Sequence, residues 1–96
     1  MTLKDLKKTM SNNDPPLGLS RPLEALWYEA KGDWKMAHLL IQALDDKTSA
    51  WVHAYLHRKE KDTANASYWY NQAGKKMPDC AFAEEWEQIA VSLLEK

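Results

Sequence analysis

Ninety-six residues, 45% of them hydrophobic, set the scale of one small domain with enough apolar surface for a single core. Thirteen lysines and arginines against 14 acids leave a formal charge of −1, which removes the general attraction that a nucleic acid or an anionic membrane would need. The longest unbroken apolar runs, such as Leu39-Leu40-Ile41, fall far short of the roughly 20 residues of a membrane span.

Met1-Thr2-Leu3-Lys4-Asp5-Leu6-Lys7-Lys8 contains no uninterrupted apolar stretch of the kind a secretory signal carries. Cys80 is the one cysteine, which excludes an internal disulfide and suits a reducing compartment, so the expected location is cytoplasmic. A small residue near the start of a helix accounts for this thiol without a nucleophilic role.

Leu3, Leu6, Lys7 and Met10 allow one or two amphipathic turns, and Ser11-Asn12-Asn13-Asp14-Pro15-Pro16-Leu17-Gly18 then gathers turn formers into a loop. Residues 1–20 are read as a tail or short helix plus loop, and 21–96 as the helical domain. Ser20 is placed to cap a first helix with Pro22 in its opening turn, ending near Lys31. Gly32-Asp33 joins a residue suited to left-handed backbone with a side chain that caps the next helix. That second helix runs from Trp34 to about Leu44, with Trp34, Ala37, Ile41 and Leu44 on one stripe and Lys35, His38 and Gln42 opposite or at its edge.

Asp45-Asp46-Lys47-Thr48-Ser49 offers several caps for a third helix, Ala50 to about Lys59, whose apolar residues cover most of its circumference and mark it as central. Asp62 or Thr63 caps a fourth, which turns Ala66, Trp69, Tyr70 and Ala73 inward and stops at Gly74 through Pro78. Asp79 restarts the pattern. The fifth helix carries Phe82, Trp86, Ile89, Ala90 and Leu93 on one face and Glu84, Glu87 and Gln88 on an acidic exterior.

A shift of 29 residues places Asp33 on Asp62, Ala37 on Ala66, Leu40 on Trp69 and Ile41 on Tyr70, so cap and stripe recur together. Alanines at matched points let paired helices approach closely. Residues 50–78 resemble a tetratricopeptide (TPR) repeat through an early tryptophan followed by Ala66, Tyr70, Ala73 and Pro78, and the preceding unit does so through Tyr28, Gly32-Asp33, Ala37 and Ile41. The period is shorter than that family's 34 residues. The segments Leu26-Trp27-Tyr28-Glu29-Ala30-Lys31-Gly32-Asp33-Trp34, 51–60 and 65–70 also resemble a family of small uncharacterised helical proteins of bacteria and fungi. Together these resemblances imply an all-α, right-handed stack of antiparallel helical hairpins, about five helices with a closing C-terminal one, and imply no reaction.

Two constellations could carry function. Trp51, Tyr55 and Arg58 follow one another at intervals of four and three, on the helix whose TPR equivalent lines a peptide groove, and a guanidinium beside rigid rings suits a carboxylate or an extended peptide. Tyr68 is a further candidate for an exposed contact. The other constellation is His53 and His57, four apart on one helix, with His38 and Glu29 on neighbouring helices as further members of a ligand pocket. Ala54 stands where a helical zinc protease carries its glutamate, which removes that chemistry, and two helical histidines without an assured third ligand assign no metal.

Phosphate loops, Cys-x-x-Cys pairs and a G-x-S-x-G elbow are missing, so neither a reaction nor a cofactor is expected. The resulting expectation is a module for protein or peptide interaction, with no nucleic acid and no membrane, capable of forming a homo-oligomer through its apolar end faces. The alternative is a small-molecule or metal-binding protein, with an enzyme among its forms, using Glu29, His38, His53 and His57. An open groove along Trp51, Tyr55 and Arg58 would favour the first, and converging histidines the second.

Overall fold

In the computed structural model, which describes residues 1–95, side-chain caps set where most helices begin. Thr2 accepts from the Asp5 N–H and opens α1 (Leu3–Lys8), which runs into a 3-10 turn at Thr9–Ser11. Asp33, Asp46 and Asp62 do the same for α3 (Trp34–Ile41), α4 (Lys47–Lys59) and α5 (Thr63–Ala73). In α2 (Arg21–Ala30) a proline in the first turn replaces a cap, and Ser20 makes no capping bond. α6 (Phe82–Leu94) also starts without a side-chain cap. No strand occurs among the described residues, and no helix there is long and apolar enough to cross a membrane.

Three boundaries differ from the sequence reading. α3 stops at Ile41 rather than Leu44, because the Leu44 N–H bonds the Ile41 carbonyl and tightens the chain into a turn. α4 starts three residues before Ala50, since Asp46 is the cap that forms: it accepts from both the Ser49 N–H and the Ser49 hydroxyl. The last helix starts at Phe82 and not at Asp79. The N-terminal turns form a true α-helix, which raises the count from about five to six α-helices among the described residues.

α4 touches α2, α3, α5 and α6, the central position that its apolar circumference indicated. The most extensive packing joins neighbours in sequence, α2 with α3 and α4 with α5, in an all-helical bundle. One core gathers Leu6 of α1, Leu23, Leu26 and Trp27 of α2, Ile41 of α3, Val52, Tyr55 and Leu56 of α4, and Trp86 and Ile89 of α6. A smaller cluster of Ala54, Ala66 and Tyr70 lies between α4 and α5. Large rings fill this small interior without stranding their polar edges: the indole N–H of Trp27 reaches Thr9 Oγ1, and those of Trp34 and Trp86 reach the carbonyls of Leu56 and Leu26.

The 29-residue repeat is written into the backbone of both corners. The Gly32 and Asp33 N–H groups bond the carbonyls of Glu29 and Tyr28, and Lys61 and Asp62 bond those of Arg58 and His57, each the residue 29 further on. Gly32 has φ +88°, and its counterpart Lys61 holds φ +67°, a conformation that a Cβ disfavours. Lys61→Gly is therefore expected to stabilise by roughly 0.5–1 kcal/mol, the relieved strain less the extra chain entropy of glycine. Thermal unfolding should show a higher Tm, and an unchanged or lower one would contradict the strain.

Candidate functional site

The Trp51–Tyr55–Arg58 row does not form an open face. Tyr55 is 1% exposed, and its hydroxyl donates to Glu29 Oε1 at 3.3 Å. Arg58 Nη1 donates to Glu85 Oε1 at 2.9 Å, Nη2 donates to the Cys80 carbonyl, and the guanidinium lies over the Phe82 ring. Trp51 is half-buried, with its indole N–H on Glu85 Oε2 at 3.2 Å and the Lys75 ammonium over its ring. Glu85, 1% exposed, thus collects Trp51, Arg58 and the Tyr70 hydroxyl. Burial, and then the neighbouring carboxylates, push both tyrosine hydroxyls well above their usual pKa, so they act as neutral donors. The arrangement is a satisfied internal network that ties α4 and α5 to α6.

Glu29 stands apart from the histidines. Its carboxylate takes Tyr55 on one oxygen and Lys59 Nζ, at 2.8 Å, on the other. These three, with Lys7, Met10 and Trp86, border a cleft of about 320 Å³ beside α1. Tyr68 is 55% exposed, as its place on α5 indicated.

The three histidines do come together. His53 and His57 are one turn apart on α4, with rings stacked at 4.9 Å. His38 projects from α3 so that its Nε2 lies 3.1 Å from His53 Nε2. One ligand atom from each of the three lies within 4.8 Å of the others. Tryptophans wall the group: His38 stacks on Trp34 at 4.9 Å and 8°, and His53 stacks on Trp69 at 4.0 Å and 16°. His57 Nδ1 meets Glu60 Oε1 at 2.6 Å, so Nε2 is the ring nitrogen not engaged by that carboxylate. His53 and His57 are 4% and 8% exposed, while His38 is half-buried and opens the group to solvent.

No protein family, characterised protein or solved structure matches the chain. The chemistry of the site is therefore read from its own atoms.

His53 Nδ1 is buried with no hydrogen-bond partner, the one such side-chain atom among the described residues. A buried polar atom left unpaired costs about 1–3 kcal/mol, and in a native fold it calls for an explanation such as an ion or ligand. Burial, then the neighbouring His38 and His57, lowers the His53 pKa to about 4. His38 is lowered also, by burial and by His57, with Glu60 opposing. At neutral pH both rings offer lone pairs.

His38 carried a sequence signal. It follows Trp34 by four residues and so stands one turn above an inward-facing ring. Glu85 had a weaker one: three residues after Phe82 and four before Ile89, it borders the apolar stripe of α6.

Proposed function

We propose that this chain is a cytoplasmic helical binding protein that takes a small ligand at the three-histidine site formed by α3 and α4 and walled by Trp34 and Trp69. The observation that supports this reading above others is the convergence of His38, His53 and His57, with one donor atom of each within 4.8 Å of the others. Protein or peptide recognition along Trp51, Tyr55 and Arg58 has less support, because Tyr55 is closed off and the guanidinium is engaged internally. The matching corners and the paired packing of α2 with α3 and α4 with α5 support a TPR-like stack of hairpins as the finer description of the bundle.

Imidazole nitrogens can be followed directly by ring 1H–15N spectra. Titrating the labelled chain with divalent metal chlorides, acetate and phosphate is expected to move the signals of His38, His53 and His57 together, saturating at one ligand per chain, with at least one of these classes. Three rings indifferent to all of them would end the reading.

A further inference from the structure

We infer that the three-histidine site is a binding site for a divalent first-row transition ion, held by His38 Nε2, His53 Nε2 and His57 Nε2 and oriented by Glu60. This inference rests on the binding reading above and names the ligand.

Geometry comes first. Two imidazole nitrogens bound to one tetrahedral zinc at 2.0–2.1 Å stand about 3.3 Å apart, and the Nε2 atoms of His38 and His53 are already 3.1 Å apart. In the absence of an ion, one of these nitrogens donates its proton to the other. An ion takes the place of that proton, which shifts to the Nδ1 of its own ring so that both imidazoles stay neutral, and small rotations about the side-chain bonds draw in His57, whose donor lies within 4.8 Å of the others. The two α4 histidines share a face because they are four residues apart, and α3 delivers the third from across the helix contact.

Outer contacts point the same way. A metal-bound histidine commonly donates its second ring N–H to a carboxylate, which fixes ring orientation and raises basicity. His57 Nδ1 has such a partner in Glu60 at 2.6 Å. Stacking on Trp34 and Trp69 holds the other two rings in place, so little side-chain freedom remains to be lost on binding.

The donor set selects the class of ligand. Three imidazoles packed this closely repel one another if protonated but converge on a cation when neutral. Nitrogen donors suit zinc, copper, nickel or cobalt, whereas magnesium and calcium require oxygen. Cys80 takes no part: it lies beside Arg58, whose guanidinium bonds its carbonyl. Three nitrogens leave a fourth position open toward solvent at half-buried His38 and exposed Glu60, where a water or a small anion completes the shell.

The experiment is titration of the full, chelator-treated chain with zinc chloride by calorimetry and with cobalt chloride by visible absorption. One ion per chain is expected, with the intense absorption of four-coordinate cobalt. His38→Ala and His53→Ala should each weaken zinc by more than the roughly 10–100-fold that a change in the outer contacts costs, and Glu60→Gln should fall within that range. His38→Ala guards against a folding failure in the buried His53 variant, and ring 1H–15N spectra of the unaltered chain show directly whether zinc sits on the three Nε2 atoms. Absence of stoichiometric binding, or binding that His38→Ala leaves unchanged, would overturn the inference. If acetate or phosphate moves the three rings while zinc and cobalt do not, the metal assignment falls and the binding reading stands; if none of them does, both fall.

Discussion

Arg58→Ala is expected to destabilise the fold by about 3–5 kcal/mol, the cost of leaving a buried charge without its partner. The carboxylate at risk is Glu85, 1% exposed, whose only cationic contact among the described residues is the Arg58 guanidinium at 2.9 Å. Tyr70 and Trp51 remain as neutral donors after the substitution, which keeps the loss from growing larger. The guanidinium also holds the Cys80 carbonyl and covers Phe82, so the segment leading into α6 loses its anchor in the same step. Lys7→Ala provides the contrast. Its pair with Glu87 has the same 2.9 Å separation, but the two side chains are 51% and 43% exposed, and such pairs contribute at most about 1 kcal/mol. Urea unfolding of the two variants should separate them clearly. A loss below about 1 kcal/mol for Arg58→Ala would show that water, and not Glu85, is the main partner of the guanidinium.

The difference between what was legible in the sequence and what was not follows the range of the interactions. Caps and stripes are local. Asp33 and Asp62 each bond an N–H three residues on, and the repeat of 29 positions returns the same corner hydrogen bonds, so the first corner could be read from Gly32-Asp33 and the second was narrowed to Asp62 or Thr63, of which Asp62 forms the cap. Helix starts were less clear where several caps competed: only the folded chain shows that Asp46 prevails over its neighbours. The Trp51, Tyr55 and Arg58 row was legible as a spacing, but spacing does not say whether a face meets solvent or another helix. That depended on α6, which brings Glu85 to Arg58 across 27 residues. Among the three acids Glu84, Glu85 and Glu87, tertiary packing alone decides that the middle one is buried. The histidines divide in the same way. His53 and His57 share a face by helical periodicity, whereas bringing His38 to them requires the α3–α4 packing, and Glu29, grouped with them by reading, turns instead to Tyr55 and Lys59.

Acid should weaken the metal-free fold through His53, by about 3 kcal/mol between pH 6.5 and pH 4. The imidazole has a pKa of 6.5 when unfolded and about 4 in the fold, and a difference of this size corresponds to about 3 kcal/mol at 1.36 kcal/mol per unit. The sign follows from proton counts. Below pH 6.5 the unfolded chain binds a proton that the native ring refuses, so stability is complete above 6.5, falls with pH, and levels off below 4. Burial is the first cause, since the ring is sandwiched between Trp69 and His57 with little surface left for solvent to stabilise a charge. The basic neighbours His38 and His57 are the second cause, while Glu60, on the far side of His57, bears on His38 in the opposite direction. Carboxylates elsewhere in the protein begin to titrate near the lower end of this window, so the informative quantity is a difference between two proteins. His53→Phe keeps an aromatic ring against Trp69 and removes the titration. Urea unfolding at intervals from pH 7.5 to pH 4 should give a native curve that falls steeply below 6.5 and a variant curve that is flatter by about 3 kcal/mol over the same interval. Parallel curves would mean that the His53 ring accepts its proton in the folded chain as readily as in the unfolded one, and a buried, neutral His53 would then have to be abandoned.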